Sequence, residues 1–198
     1  MSSVEYRIAG VDDAAAIADI YAPYVRYAII SFETEAPDAH EIVQRMARLG
    51  RNYPWLAASS GGRLVGYAYA CENRSRLAYR WSVDAAIYLD AAAQGRGIGR
   101  ALYQRMFDLL RAQGYVNAFA GISLPNPASV GLHDAMGFTL IGIHRQVGYK
   151  LGAWRDVGWW QLALREPPEN PLEPIEMAGL DEAVVAAILG AENSASMR

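Results

Sequence analysis

A glycine-rich stretch follows an almost continuously apolar run, and its residue types suit the binding of a phosphate. The stretch reads Gln94-Gly95-Arg96-Gly97-Ile98-Gly99-Arg100. Alternating glycines let the backbone approach a ligand closely, and the first turn of a helix presents unpaired N–H groups at the positive end of its dipole. The two arginines add charge for outer phosphates. The stretch therefore predicts a site for a phosphate or pyrophosphate.

Two common phosphate motifs do not match this stretch. The dinucleotide fingerprint GxGxxG would need glycine at the position of Arg100, and a P-loop would need GK[ST] at its end. The pattern that fits is QxxGxG, carried by Gln94, Gly97 and Gly99. The apolar run before it and the helical periodicity after it predict a strand, a short loop and a helix, in that order.

Charged side chains before the apolar run are candidates for proton transfer and for anion binding. Asp84 directly precedes residues 85–89, where a charge is unexpected unless it faces a cavity, so it is our candidate general base. Arg74 and Arg76 flank Ser75, and on an extended loop both can point to one side and clamp an anionic group. The alternatives are a solvated carboxylate at a strand end and a solvated charge pair on a loop.

Composition bounds the class of protein. The 198 residues are 53% hydrophobic and 20% charged, as in a globular domain. The net charge of -3 argues against a nucleic-acid or anionic-membrane binder. Cys71 is the single cysteine and the three histidines are far apart, so we expect no disulfide and no metal site. With no signal-peptide pattern and no apolar run of membrane-spanning length, we expect a cytoplasmic location.

Periodicity and end signals predict an α/β domain. Strands are expected over residues 4–8, 55–60, 64–71, 79–89, 116–122, 138–149 and 156–164. Helices are expected from about residue 13, from about residue 38, and over 97–113 and 127–136. Asp38 with Glu41 resembles a capping box, and Gly114 stands where a helix should end.

The composition changes after Glu166. Residues 166–174 are rich in proline and should be extended, and residues 180–189 have the apolar spacing of a short helix. We therefore expect one domain over residues 1–166 and, over 167–198, a Pro-rich linker with a short helical tail that packs on its own chain or on a partner. A frayed tail is the alternative.

The QxxGxG pattern in this setting resembles the acetyl-CoA pyrophosphate loop of the GCN5-related N-acetyltransferases (GNAT). Residues 4–165 as a whole are similar to the phosphinothricin and methionine sulfoximine N-acetyltransferase group. The matching stretches, in chain order, cover residues 31–35, 53–56, 74–81, 122–126, 132–138, 148–150 and 158–161. Stretches spread over the chain in the right order make the resemblance specific.

The resemblance implies a fold, a reaction and a cosubstrate. The fold is the GNAT fold, with a mixed, mostly antiparallel sheet that splays at the cofactor cleft and is flanked by helices. The reaction is direct transfer of an acetyl group from acetyl-CoA to the amine of a small amino acid analogue, with phosphinothricin or methionine sulfoximine as the best candidates. Members of the group are commonly homodimers, which is therefore expected here. Alternatives are another amino acid or a protein N-terminus as acceptor, or a non-catalytic acyl-CoA-binding module.

The resemblance also implies roles on the cofactor side. Ile87, Tyr88 and Leu89 would offer main-chain groups to the pantetheine arm, and the N–H of Leu89 would donate to the thioester oxygen. The whole stretch 94–100 would hold the pyrophosphate. Asn126, which also reads as a helix N-cap, matches an asparagine that contacts the pantetheine.

On the acceptor side, Asp84 stands where the family usually has glutamate as the base. It is one methylene shorter, so a bridging water is expected. His133 stands where many members of the superfamily have a tyrosine that protonates the leaving thiolate, and it either donates to that thiolate or packs beside it. The residues implied to bind the acceptor are Phe32, Glu33, Arg74, Ser75, Arg76 and Asp84.

Overall fold

One seven-stranded sheet runs through the computed structural model, which describes residues 3–191. The strands are β1 (Val4–Ile8), β2 (Trp55–Ser60), β3 (Arg63–Glu72), β4 (Ser82–Leu89), β5 (Asn117–Leu124), β6 (Thr139–Lys150) and β7 (Ala153–Ala163). Their order in the sheet is β1-β2-β3-β4-β5-β7-β6. All neighbours are antiparallel except β4 and β5. The expected mixed, mostly antiparallel sheet is confirmed.

Helices cover both faces of the sheet. They are α1 (Ala14–Arg26), α2 (Ala39–Leu49), α3 (Ile98–Gln113), α4 (Pro127–Ala135) and α5 (Glu182–Gly190). Helices α1 and α2 pack on one face through residues such as Ile17 and Ile42, which meet Trp55 and Tyr67 of the sheet. Helix α3 packs on the other face through its buried stripe, which includes Leu102. The sheet therefore separates two hydrophobic cores.

The predicted helix ends are confirmed by their hydrogen bonds. The Asp38 carboxylate accepts from the Glu41 N–H at 2.8 Å, and Gly114 ends α3 in a left-handed conformation with φ 97°. Asn126 caps α4 by accepting from the Ser129 N–H at 3.2 Å. These local signals are sufficient because the donors and acceptors they satisfy lie within one helical turn.

Two boundaries differ from expectation. The strand expected from Tyr79 begins at Ser82, because residues 77–79 form a single 3-10 turn in which Tyr79 N–H donates to the Arg76 carbonyl at 2.9 Å. The last two strands are joined by a two-residue turn rather than a longer connection. Leu151 and Gly152 both have positive φ (51° and 76°), as a type I′ hairpin turn requires.

Strands β4 and β5 pair over only three residues each. The parallel register runs from Ser82 opposite Asn117 to Asp84 opposite Phe119. Beyond this point the two strands diverge, while β5 stays paired with β7 up to Leu124. The edge of β4 over residues 85–89 therefore faces a cleft, and Asp84 lies at its apex.

The chain after β7 returns to its own domain as far as residue 191. Helix α5 lies against β1 and α3, and the Arg105 guanidinium donates to the carbonyls of Leu189, at 3.1 Å, and Ala191. An arginine suits the C-terminal end of a helix, where carbonyls have no partner within the helix. Residues 1–2 and 192–198, which the predicted domain and tail include, lie outside the described part, so the domain limits stay predictions. No helix of the described chain is long and apolar enough to cross a bilayer.

Candidate active site

The cleft between β4 and β5 brings together residues that are far apart in sequence. Its lining comes from β4, β5, α3 and α4 and from the connections before α2 and α4. The lining residues are Ile30, Ala85, Ala86, Ile87, Tyr88, Tyr103, Ala120, Gly121, Ile122, Ser123, Asn126, Ser129 and His133. The predicted residues Ile87, Tyr88, Asn126 and His133 therefore share one site.

The main chain of β4 offers hydrogen-bond donors to this cleft. Asp90 N–H donates to the Val65 carbonyl of β3 at 2.9 Å, and in an antiparallel pair the donors of successive residues alternate in direction. The N–H groups of Ile87 and Leu89 therefore point away from β3, towards the cleft. Helix α1 reaches the same edge, since the Tyr24 hydroxyl donates to the Leu89 carbonyl at 2.5 Å.

The glycine loop is open where a phosphate would approach. Gly95 and Gly97 have φ of +71° and +78°, and a Cβ at either position would meet no atom within 4 Å. Gly97 is the N-cap of α3. Gly99 differs, because a Cβ there would lie 3.4 Å from the side chains of both Ile87 and Leu89. Two glycines thus shape an open helix start, and the third lets α3 pack against β4.

The polar side chains of the loop divide into two groups. Arg96 and Arg100 are exposed beside the glycines, where they can meet outer phosphates. Gln94 instead donates from Nε2 to the Tyr24 hydroxyl at 2.9 Å. Gln94 thereby ties the loop to α1 and, through Tyr24, to the end of β4. Sequence reasoning missed Tyr24, because its place on the apolar face of α1 is typical of a core residue.

Asp84 is partly buried at the apex of the cleft, and its carboxylate is held in place. Asn73 Nδ2 donates to Asp84 Oδ1 at 2.6 Å. Burial raises the pKa of Asp84 to about 6, although the Asn73 hydrogen bond and the charge of Arg74 both act to lower it. A carboxylate with this pKa is mostly ionised at pH 7 and is more basic than an exposed aspartate. Asn73, which sequence reasoning also missed, precedes the arginine pair directly.

The connection between β3 and β4 presents the arginine pair on its exposed side. Arg74 Nη1 donates to the Asn73 carbonyl at 2.7 Å, and its guanidinium lies over the Trp159 ring, 5.6 Å from the centre. Arg74, Ser75 and Arg76 are all exposed. Arg74 therefore sits between Asp84, whose pKa it lowers, and an aromatic side chain of β7.

A cavity of about 890 Å³ opens between α2 and the sheet, on the same face as Asp84. Asp84 pairs with Cys71 of β3, so both side chains project from one face, and Cys71 lines the cavity together with Tyr69. Burial raises the pKa of Cys71 to about 12, so the thiol stays protonated at pH 7. The cavity thus reaches Cys71, the strand partner of Asp84, and Cys71 is unsuited to act as a nucleophile.

The Glu33 carboxylate is bound within the protein. It accepts from Arg45 Nη1 and Nη2 at 2.7 and 2.9 Å and from the Tyr21 hydroxyl at 2.9 Å. Burial acts to raise the pKa of Glu33, but these hydrogen bonds outweigh it and the pKa is lowered. Phe32 packs on Gly148, where its ring occupies the space of a Cβ. Both residues order the α1–α2 connection.

His133 is buried (3% exposed) and both of its ring nitrogens have partners. Nδ1 lies 2.8 Å from the Ser129 carbonyl, which only accepts, so Nδ1 carries the proton. Nε2 then accepts from the Tyr103 hydroxyl at 3.1 Å. Burial lowers the pKa of His133, so the ring is neutral at pH 7. Tyr103, which lies within the core stripe of α3, was not foreseen as a cleft residue.

Comparison with protein families shows to which family the chain belongs. The chain matches the model of the acetyltransferase (GNAT) domain over residues 7–159. The chain belongs to the GNAT acetyltransferase family.

Relatives within the family narrow the comparison. The chain is 39% identical over 173 residues to phosphinothricin N-acetyltransferase of Streptomyces viridochromogenes, covering 87% of this chain and 94% of that protein. It is 35% identical over 161 residues, 81% of this chain and 94% of the relative, to the L-methionine sulfoximine/L-methionine sulfone acetyltransferase of Salmonella typhimurium. A crystal structure of a phosphinothricin acetyltransferase from Sinorhizobium meliloti in complex with acetyl-CoA superposes with a TM-score of 0.83. It is 34% identical, covering 88% of this chain and 96% of that one.

Membership in this family makes the protein an acetyl-CoA-dependent N-acetyltransferase, with acetyl-CoA as cosubstrate. The residues present fit that cosubstrate. The exposed N-cap at Gly97 has room for a phosphate, and the free edge of β4 offers main-chain donors to an extended amide-bearing arm. Within residues 3–191, no three His, Cys, Asp or Glu side chains cluster as metal ligands would.

Proposed function

We propose that this enzyme acetylates the α-amine of a small amino acid analogue of the phosphinothricin or L-methionine sulfoximine type by direct attack. The observation that carries the proposal is the pairing of a basic and an anion-binding group. Asp84 has a pKa of about 6 and lies near enough to Arg74 for the guanidinium to lower it. The relatives at 39% and 35% identity carry these substrates in their names.

Asp84 is the general base of the proposal. An amine is protonated near pH 7 and must lose a proton before it attacks. The Asn73 hydrogen bond holds Oδ1, so Oδ2 is the oxygen that takes the proton. Because aspartate is shorter than the family's usual glutamate, we expect a water molecule between Oδ2 and the amine. Cys71 takes no part, since its thiol is protonated at pH 7.

The cofactor side of the cleft orients the acyl donor. Bound acetyl-CoA supplies an activated thioester carbonyl. Leu89 N–H, directed away from β3, donates to the oxygen on which charge develops. Ile87 and Asn126 hold the pantetheine arm, and residues 94–100 hold the pyrophosphate through the N–H groups at the start of α3. The side chain of Gln94 keeps the loop against Tyr24.

His133 remains our candidate for protonating the leaving thiolate. To do so the ring must be protonated, so that Nε2 carries a proton while Nδ1 keeps its own on the Ser129 carbonyl. The Tyr103 hydroxyl, which is both donor and acceptor, can turn from donating to Nε2 to accepting from it. The alternative is that His133 and Tyr103 only shape the floor of the cleft.

Acceptor recognition is assigned to the Arg74–Arg76 stretch. Its two guanidinium groups suit a carboxylate and a phosphinate or sulfoximine, and Ser75 lies between them. Phe32, whose ring packs on Gly148, is assigned to the acceptor site from the α1–α2 connection. Glu33 contributes through Arg45 and Tyr21, which hold its carboxylate; a contact with the substrate ammonium would need one of these bonds to open.

We also propose that the enzyme is a homodimer. Strand β6 is an edge strand, and apolar side chains of the β6–β7 hairpin are 50–61% exposed, namely Leu140, Ile141, Val147, Tyr149, Leu151 and Trp154. Exposed apolar side chains concentrated on one hairpin commonly mark an interface. A cytoplasmic location and the absence of nucleic-acid and membrane partners rest on the sequence and stay predictions.

The test is release of CoA in the presence of a panel of amines. Phosphinothricin and methionine sulfoximine should be turned over with higher kcat/KM than the ordinary amino acids that they resemble. Their kcat/KM should also exceed that of a polyamine or of a peptide with a free N-terminus. Acetyl-CoA binding without CoA release from any amine would favour a binding module. Preference for a peptide would replace the proposed acceptor while keeping the chemistry.

A further inference from the structure

The segment that follows β7 reaches the β3–β4 connection at the end of β4 remote from the glycine loop. The Glu173 carboxylate accepts from Arg80 Nη1 at 2.7 Å, and the Leu172 carbonyl accepts from Trp81 Nε1 at 2.8 Å. The Arg80 guanidinium also lies over the Trp81 ring, 4.6 Å from its centre. The segment therefore contacts the last two residues before β4. It lies outside the part of the chain that matches the family model.

The same segment is fixed to the body of the domain just beyond these contacts. Ile175 N–H donates to the Gln113 carbonyl at 2.7 Å, and Gln113 Nε2 donates to the carbonyls of Ile175 and Asn52 at 2.8 and 2.7 Å. Gln113 is only 1% exposed. Because water does not compete for buried hydrogen bonds, they contribute more to stability than exposed ion pairs do. The segment can therefore act as a fixed support.

Apart from its own 3-10 turn and the contact of Arg74 with Trp159, the connection is held at its two ends. Residues 74–80 are all exposed, and Leu77 is 74% exposed. At one end Asn73 is bonded to Asp84. At the other end the Trp81 carbonyl accepts from the Val116 N–H at 2.8 Å, while its side chain meets Leu172. Arg74 and Arg76 lie between these two anchors.

We infer that Leu172 and Glu173 are positioning residues of the acceptor site: by holding Trp81 and Arg80 they set where the connection places Arg74 and Arg76 relative to Asp84. The inference rests on the proposed function, since it assigns the arginine pair to the acceptor. The segment thus extends the acceptor site beyond the family domain, without touching substrate itself.

The experiment uses the full-length chain with the double substitution Trp81→Phe and Glu173→Gln. Phenylalanine keeps a ring but removes the indole donor, and glutamine removes the charge without changing the shape. We expect the KM for methionine sulfoximine to rise about fivefold, the effect of losing one ordinary hydrogen bond. The Kd for acetyl-CoA, measured by calorimetry, should stay unchanged, and amide hydrogen exchange in residues 73–81 should become faster.

Glu176→Gln is the matched control, because Glu176 pairs with Arg51 at 2.8 Å on the same segment but away from the connection. It should leave the acceptor KM and the exchange of residues 73–81 as they are. An unchanged KM in the double variant, or an equal rise in the control, would overturn the inference. If the unmodified enzyme acetylates no amino acid analogue, the proposed function fails by itself. Exchange in residues 73–81 then still decides this inference, which fails if the double variant exchanges no faster than the control.

Discussion

The two sides of the cleft differ in the kind of group that they present, main chain on one side and side chains on the other. On the proposed cofactor side, the groups available to a ligand are main-chain N–H groups of β4 and of the α3 start, and the surroundings of Gly95 and Gly97 are open. On the proposed acceptor side, the candidate groups are side chains: the Asp84 carboxylate, its Asn73 partner and the arginines of an exposed connection. A main-chain site accepts one ligand shape whatever the neighbouring side chains are, whereas a side-chain site can be changed one residue at a time.

The difference also has an energetic side. The main-chain N–H groups at a helix start carry no full charge that folding must remove from water. The cofactor side therefore reduces the folding free energy little. The acceptor side keeps a carboxylate partly buried, and burial raises the pKa of Asp84 to about 6, which means that the ionised form is destabilised in the folded protein. We expect substitutions on the two sides to differ accordingly.

The largest expected effect is on the acceptor side, from Asp84→Asn. Loss of the base should lower kcat by about 10²-fold or more, the usual range for general-base catalysis. In the unmodified enzyme kcat/KM should rise with pH through about 6, where the carboxylate loses its proton. The pH profile of CoA release measures both. A full rate for the variant at pH 7 would remove Asp84 from the mechanism.

Arg74→Ala should impair binding on the acceptor side of the cleft and leave the cofactor side unaffected. Losing a charge-assisted hydrogen bond should raise the acceptor KM about tenfold or more, with acetyl-CoA affinity unchanged. Because the Arg74 charge lowers the pKa of Asp84, the acid limb of the pH profile should also move to higher pH. Steady-state kinetics with each substrate varied in turn give the comparison. An equal loss of affinity for both substrates would mean that Arg74 has a structural role and does not bind the acceptor.

Gly97→Val is the counterpart on the cofactor side. The side chain should obstruct the phosphate approach and strain a residue at φ +78°, raising the acetyl-CoA KM about tenfold while the acceptor KM stays constant. Gly62→Val is the control, since Gly62 has φ +75° and an equally open surrounding, but lies in the β2–β3 turn. It should lose stability without losing cofactor affinity. Unchanged affinity in Gly97→Val would refute the loop assignment.

The smallest expected effect is on stability. Burial raises the folded-state pKa of Asp84 to about 6, above that of an exposed aspartate, so its ionisation destabilises the fold as pH rises from about 4 to 6. Asp84→Asn should therefore be more stable than the unmodified protein at pH 7, by about 1–2 kcal/mol after allowance for solvent relaxation, and equally stable below pH 4. Denaturant unfolding at both pH values measures this.

Asp13 provides the opposite sign for comparison. Its hydrogen bonds from Arg7 lower its pKa, so its ionised form stabilises the fold above the unfolded-state value, and this contribution is lost as pH falls. Asp13→Asn should accordingly destabilise the protein at pH 7 and much less in acid. If Asp84→Asn were destabilised at pH 7, as Asp13→Asn is expected to be, then burial would not be destabilising the ionised form of Asp84.

Local signals predicted the ends of the helices well. The helix start at Gly97, the cap at Asn126 and the end at Gly114 each depend on groups within one turn, so their residue types report the geometry directly. The β3–β4 connection was predicted less well, since β4 starts at Ser82 and not near Tyr79. Residues 77–79 form a 3-10 turn there, and Arg80 and Trp81 contact Glu173 and Leu172, some 90 residues further along the chain.

The partners of the predicted side chains were harder to foresee. Tyr24 reads as an apolar helix position, yet its hydroxyl joins Gln94 to the end of β4. Tyr103 reads as core, yet its hydroxyl donates to Nε2 of His133 at the floor of the cleft. Glu33 was expected at the substrate, and the structure places its carboxylate on Arg45. In each case the residue's type was informative, but its partner came from another element.

By itself, the sequence determined the order of helices and strands, the glycine-shaped helix start and the identity of the charged residues, because these follow from periodicity and from groups close together in the chain. Only the tertiary structure decided where β4 and β5 separate, that Asp84 lies at that apex with Asn73 bound to it, and that Glu33 is already occupied. The physical reason is that burial and pairing between distant segments set a side chain's pKa and freedom, and neither quantity is a property of the neighbouring residues alone.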